Sequence, residues 1–208
     1  MARKSKSSGR WMAEHQRDEF VRRAAAEGWR SRAVYKLAEI DEKDRLIKPG
    51  MTVVDLGAAP GGWSQYAARK VGRHGRVIAM DLLEMPDLEG VTFVQGDFTE
   101  SSVLEELMRE LDGVPVDLVI SDMAPNISGI KAVDQPRAMY LAELALDFAG
   151  QVLTEDGSLL VKMFQGAGSE DFLADMRKAF EQVKTRKPRA SRPRSREVYV
   201  LGTNRRMI

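Results

Sequence analysis

Apolar positions recur along this chain in two alternating rhythms. Short runs rich in β-branched and aliphatic residues fall at 51–55, 75–80, 91–95, 116–121, 157–163, 181–187 and 197–202, and each has the length and composition of a buried strand. Between them, near 61–70, 100–111, 137–152 and 169–180, apolar residues return at helical spacing, as at Val103, Leu104 and Leu107. Two more helical patterns, Trp11–Glu27 and Ser31–Lys43, precede the first strand and are parted by Gly28. Ser31 is placed to cap the second, in which Val34, Leu37 and Ala38 share one face. Strand–helix alternation through short loops predicts an α/β fold, a seven-stranded and mostly parallel sheet with helices on both faces. Met1–Arg10, rich in Lys, Arg, Ser and Gly and free of acidic residues, is expected to be disordered. That leaves 11–208 as one domain, with the helices of 11–43 packed on its core.

Composition narrows the class. A chain of 208 residues buries a substantial core. The absence of cysteine excludes a disulfide framework and a thiolate metal site, and no His/Cys cluster suggests any other metal centre. No apolar run approaches membrane-spanning length and the N-terminus lacks an apolar signal core, so a cytoplasmic protein is expected, and a monomer. The net charge of +1 conceals an asymmetry. Residues 1–36 carry a net +6, residues 184–208 a net +8, and the segment between them a net −13. Solvated surface charge would explain either end alone. Two basic ends around an acidic core point instead to a polyanionic partner, a nucleic acid.

The chain is organised around Thr52-Val53-Val54-Asp55-Leu56-Gly57-Ala58-Ala59-Pro60-Gly61-Gly62-Trp63-Ser64, a strand that turns through glycines into a helix. Such a turn leaves backbone N–H groups open to a cofactor, because no Cβ blocks the approach. Gly57 and Gly62 have P-loop spacing, but Trp63 occupies the lysine position. A dinucleotide fingerprint fails at its second glycine, within Gly57-Ala58-Ala59. Asp55-Leu56-Gly57 fits the third possibility, the acidic residue and glycine turn of an S-adenosylmethionine (SAM) methyltransferase.

Ligands of open parallel sheets sit beyond the carboxyl ends of the strands. There Asp81 is placed to accept ribose hydroxyls, Asp97 to accept from an adenine amino group, and Asp122 closes a further strand. One such aspartate is often only a turn cap. Four of them, Asp55, Asp81, Asp97 and Asp122, after four successive strands form a pattern. Lys162 interrupts the apolar run Leu159–Phe164 and so requires a partner or a cleft. Glu197 starts the last strand directly after a basic loop. Taken singly, Lys162 reads equally well as a sheet-end ion pair, Glu197 as a counter-charge for nearby arginines, and Lys36 as a solvated helix lysine.

The combination of Asp55–Ser64, Ser121-Asp122-Met123-Ala124-Pro125-Asn126, Val161-Lys162 and Ser195-Arg196-Glu197-Val198-Tyr199 closely resembles the FtsJ/RrmJ family of SAM-dependent RNA ribose 2′-O-methyltransferases. The likeness runs from about Arg10 to about Leu201. It implies a Rossmann-like SAM-dependent methyltransferase fold and a Lys-Asp-Lys-Glu tetrad, here Lys36, Asp122, Lys162 and Glu197. With the glycine turn it assigns the cofactor to Asp55, Gly57, Gly61, Trp63, Asp81, Asp97 and Asp122. Within the family the chain is most similar to bacterial members that methylate a uridine ribose of large-subunit (23S) ribosomal RNA, which implies the large ribosomal subunit as partner.

The chemistry can be argued independently. A ribose 2′-hydroxyl must be held nearly in line with a sulfonium methyl, roughly 3 Å away, while its proton leaves. Lys162 would accept that proton or steer the developing alkoxide, with Asp122 orienting it and Lys36 and Glu197 completing the hydrogen-bond array. The segment Lys184–Arg196 holds seven basic residues and no acid. Lys187, Arg189, Arg192, Arg194 and Arg196 are therefore candidate phosphate contacts beside the active site, with Arg32 contributing from the N-terminal segment. The rival readings are a non-catalytic ribosome-assembly RNA-binding protein, a nicotinamide-dependent oxidoreductase, and a 2′-O-methyltransferase of tRNA or another RNA.

Overall fold

The computed structural model describes residues 18–126, 128–192 and 195–206. The expected disordered tail 1–10, the start of the first helical pattern and Arg194 lie outside them. The elements are α1 (Glu19–Ala26), α2 (Val34–Asp44), β1 (Thr52–Leu56), α3 (Gly62–Val71), β2 (Arg76–Asp81), β3 (Val91–Gln95), α4 (Ser101–Leu111), β4 (Val116–Ser121), α5 (Lys131–Val152), β5 (Leu153–Phe164), α6 (Ser169–Ala179), β6 (Phe180–Arg186) and β7 (Glu197–Arg205). The sheet order is β3-β2-β1-β4-β5-β7-β6. Pairing is parallel from β3 through β5, and β7 runs antiparallel to both β5 and β6. The predicted seven-stranded, mostly parallel α/β sheet is the one observed.

Alternation along the strands divides the core in two, because successive side chains leave a strand on opposite faces. Val54, Leu56, Ile78, Val119, Leu159 and Val161 pack with α4, α5 and α6. Val53, Val77, Leu118, Ile120, Leu160, Tyr199 and Leu201 pack with α2 and α3 through Leu37, Ile40, Trp63 and Ala67. By the same alternation Lys162, between Val161 and Met163, belongs to the α2/α3 face.

Three boundaries differ from the sequence reading. Ser31 does not cap α2: the helix starts at Val34 after Ala33, without a side-chain cap. The Ser31 hydroxyl instead lies over Gly62, where a Cβ would force it to turn away. The helix expected from 137 begins at Lys131, one turn and more before Pro136. Its early start follows from Asp134, whose carboxylate accepts from the Ser128 and Gly129 amides at 2.8 and 2.9 Å and fixes the preceding loop. Finally, β5 begins at Leu153 rather than 157, because Leu153 pairs with Val116 across a register shift before regular pairing resumes at Ser158.

Candidate active site

Order in β1 and β4 puts their following loops side by side, the point at which connections leave the sheet in opposite directions. Gly57 and Ala58 donate their amides to Met80 O at 2.9 and 3.0 Å, and Asp122 donates its amide to Leu56 O at 3.2 Å. These bonds hold the β1, β2 and β4 loops together around a cleft of about 570 Å³. Gly57, Asp81, Asp97 and Asp122 all line it, together with Phe98, Met123, Arg137 and Tyr140. Its volume and its mixed apolar and acidic walls suit a ligand of nucleoside-plus-amino-acid size.

Each aspartate also has a structural task. Asp81 accepts from the Ala59 amide at 2.9 Å and the Leu83 amide at 2.8 Å, tying the β1 loop to the β2 loop. Asp97 accepts from the Thr99 amide and hydroxyl at 2.9 and 2.7 Å, which holds its carboxyl below the usual range. Asp55, Gly61 and Trp63 do not line the cleft. Asp55 is fully buried and accepts from the Ser64 hydroxyl at 2.6 Å. Trp63 is buried, donates its indole N–H to Ala33 O at 2.7 Å and packs 5.6 Å from the Tyr199 ring. Gly61 precedes α3 at φ 104° without a side-chain cap, and Met85 and Arg30 close over it.

Burial pushes the Asp55 carboxyl up to about 7, with the Ser64 bond opposing and the charges of Asp122 and Asp81 reinforcing the rise. A folded-state value above the ordinary one means that the native protein binds this proton more tightly than the unfolded chain does. Its contribution to stability is therefore full below the unfolded value near 4 and is lost as pH rises through about 7. Asp55→Asn should flatten that loss: a series of melting temperatures against pH is expected to show the variant gaining on the parent between pH 4 and 8. Parallel curves would mean that the carboxyl is not protonated in the native state.

The charged cluster is assembled by register. Ser121 pairs with Val161, so the next residues, Asp122 and Lys162, emerge side by side. Lys162 pairs with Tyr199 and Phe164 with Glu197 across β5 and β7. Lys162 Nζ lies 3.0 Å from Asp122 Oδ1 and also donates to the Asp122 carbonyl. Tyr199 donates its hydroxyl to the same Oδ1 at 2.6 Å. From α2, Lys36 Nζ donates to the Tyr199 hydroxyl at 3.1 Å and pairs with Glu197 Oε1 at 2.7 Å. The two lysines and two carboxylates are thus joined through Tyr199 into one chain of five, Glu197–Lys36–Tyr199–Asp122–Lys162. Their side chains are 7 to 19% exposed, enough for contact with a ligand but little else.

Burial acts to raise the Asp122 carboxyl, but the charges of Lys162 and Lys36 and the Tyr199 hydroxyl outweigh it and leave it below the usual range. Glu197 ends low for a similar reason, Lys36 overcoming burial. Burial, then the charges of Asp122 and Glu197, pushes the Tyr199 phenol well up, so Tyr199 is a neutral donor. Two lysines and two carboxylates are joined here by a neutral phenol.

A second cleft, of about 420 Å³, lies on the other side of the cluster and is lined by Arg32, Lys36, Lys162, Phe164, Arg192 and Glu197 among others. Ala124 lines both clefts. Of the basic residues singled out for RNA, Arg192 is half-buried in this second cleft, and Arg189 and Arg196 are exposed. Arg32 and Lys187 are partly committed elsewhere. Arg32 pairs with Asp18 at 2.6 Å and donates to Ala190 O, tying α1 to the basic loop. Lys187 donates to Ser195 O at 2.8 Å and to the Glu197 carbonyl, closing that loop on itself.

Residues 29–205 match the model of the FtsJ-like methyltransferase family. The chain belongs to that family. Among its relatives, the ribosomal RNA large subunit methyltransferase E of Cellvibrio japonicus is 60% identical over 202 residues, 97% of this chain and 95% of that protein. The protein of the same name from Chromohalobacter salexigens is 62% identical over 198 residues, 95% of this chain and 94% of that protein. A crystal structure described as a ribosomal RNA methyltransferase from Plasmodium falciparum superposes with a TM-score of 0.76 at 29% identity, over 85% of this chain and 98% of that one. This FtsJ-like chain is therefore a methyltransferase.

The residue that sequence reasoning missed is Tyr199. Its signal was present: Glu197 and Tyr199 are two apart on one strand and so share a face. A tyrosine in an apolar strand reads as core, however, and only the cross-strand register with Lys162 brings its hydroxyl to Asp122.

Proposed function

We propose that this protein transfers a methyl group from SAM to a ribose 2′-hydroxyl of 23S ribosomal RNA in the large subunit, at a uridine. The observation that carries the reading is the position of the charged cluster between two clefts. Asp122 lines the first, and its bonded partner Lys162 lines the second. The near-complete likeness to large-subunit RNA methyltransferases supports the acceptor.

The first cleft fits SAM on two counts: its volume and the acidic side chains of Asp81 and Asp97. Asp81 and Asp97 would hold the nucleoside part, Asp122 would face the sulfonium end, and Asp55, Gly61 and Trp63 would keep the loop in shape. When bound, SAM supplies an electrophilic methyl carbon on a positively charged sulfur. The residues of this chain do the rest. Lys162, oriented by Asp122, contacts the 2′-oxygen and either takes its proton or steers the charge that develops there. Lys36 and Glu197 hydrogen-bond the ribose from the other side, and Tyr199 keeps the two halves of the cluster in register. As the methyl group passes from sulfur to oxygen, the amine form of Lys162 would hold the hydroxyl proton, or its ammonium form would stabilise the oxygen while the proton leaves to water. Arg189, Arg192 and Arg196, with Arg194 outside the described residues, would contact RNA phosphates.

Incubation with labelled SAM and, separately, large subunits, free ribosomal RNA and tRNA, followed by mapping of the methylated nucleotide, tests the proposal. One ribose-methylated uridine in 23S RNA is expected. Label on tRNA alone would reassign the acceptor, and no label on any RNA would overturn the reading.

A further inference from the structure

The square of side chains formed by β5 and β7 has four corners: Lys162 opposite Tyr199, and Phe164 opposite Glu197. Lys162 and Phe164 are two apart and so face the same way, as do Glu197 and Tyr199. Three corners belong to the charged cluster. The fourth is an aromatic ring to which the proposed reaction assigns nothing.

Phe164 is the last residue of β5. It is half-buried, and among the described residues it joins none of the hydrophobic clusters that hold the core together. Part of its ring remains in water, so packing of the core does not account for it. Its backbone, by contrast, is fixed. Gln135 on α5 donates its side-chain amide to the carbonyls of Phe164 and Ala167 at 2.9 and 3.2 Å. Gly166, at φ 153°, leaves room for that amide, since a Cβ there would lie 2.9 Å from its carbon. The end of β5 is thereby pinned with the ring at its tip.

The ring borders two spaces. It lines the 420 Å³ cleft that holds Lys36, Lys162 and Glu197, and it lines an adjoining cleft of about 250 Å³ with Pro125, Lys131, Gln135 and Arg196. The smaller cleft has room for one planar heterocycle, and it carries basic side chains at Lys131 and Arg196. Single-stranded and extruded nucleotides are held in this manner, with a base on an aromatic face and cations on the backbone.

We propose that Phe164 is the stacking platform for the base of the acceptor nucleotide. The base lies on the ring in the smaller cleft while its ribose reaches Lys162 in the larger one. Stacking tolerates any base, so Phe164 sets the position of the nucleotide and not its identity. The inference rests on the proposed RNA methyl transfer and adds how the acceptor is held: extruded from its stack.

The test is steady-state methyl transfer from SAM to large subunits lacking the modification, with Phe164→Ala, Phe164→Leu and Phe164→Tyr. Leucine keeps an apolar side chain but no aromatic face. Alanine and leucine are both expected to raise KM for the subunit roughly 10- to 100-fold, with kcat and SAM affinity little changed, and tyrosine to restore the parent value. A leucine variant equal to the parent overturns the platform, as does a fall in kcat at unchanged KM, while methyl transfer by the parent stands. No transfer by the parent overturns the function and the platform with it.

Discussion

Replacing Lys162 by alanine is expected to lower kcat for methyl transfer by a factor of roughly 10² to 10⁴, the range over which a positioned proton-transfer group contributes. SAM affinity should change little, because Lys162 lines the second cleft and not the first. The geometry makes the separation possible. Asp122, which does line the first cleft, keeps the Tyr199 hydroxyl at 2.6 Å when the lysine is gone. Removing one partner of a buried pair commonly costs about 3–5 kcal/mol through the charge left behind. Here Lys36, joined to Asp122 through Tyr199, remains to limit that cost. Tritium transfer onto large subunits and calorimetric titration with SAM would be measured on the same preparation. Loss of both activities together, with a large fall in melting temperature, would make Lys162 a structural residue and remove it from the mechanism.

Gly57→Ala is expected to damage both stability and SAM binding. Gly57 has φ +78°, a region costly for residues with a side chain. Its new Cβ would stand 2.8 Å from Met123 Cγ and 2.9 Å from the Met123 backbone nitrogen and Cα. Neither side can yield easily. The Gly57 and Ala58 amides are bound to Met80 O on β2, and the Asp122 amide, one residue from Met123, is bound to Leu56 O on β1. Strain and overlap together should cost about 2–4 kcal/mol. In a chain of this size that lowers the melting temperature by about 5–15 °C. The displaced β1 and β4 loops both line the first cleft, so SAM affinity should fall at least tenfold at temperatures where the variant is folded. A variant with parental melting temperature and affinity would show that the two loops are not held as described.

Much of the site was legible along the chain because the features that build it are local. The runs of β2, β3 and β4 lead into Asp81, Asp97 and Asp122, and a parallel sheet delivers the ends of its strands to one edge. The glycines of the β1–α3 turn announce a close backbone approach. Boundaries set by side-chain capping were not legible. Helical spacing of apolar residues was read from 137, yet α5 begins at Lys131 because Asp134 binds the amides of a loop several residues back. The aspartates also proved to do two things at once. Asp81 and Asp97 line the cleft and at the same time bind loop amides, so the cap and the candidate ligand are the same carboxylate.

The set of four ionisable residues came from the family resemblance; the sequence by itself determined the fold class and the glycine turn, because period and turn chemistry are properties of neighbours along the chain. It could not determine what Lys36, Asp122, Lys162 and Glu197 share, since each is paired through residues tens of positions away. Only the tertiary structure placed Tyr199 between them, set a separate cleft on either side and left Phe164 at the open corner. The physical reason is register: pairing Val161 with Ser121 and Lys162 with Tyr199 decides which side chains meet, and a shift of one residue would turn all of them to the other face.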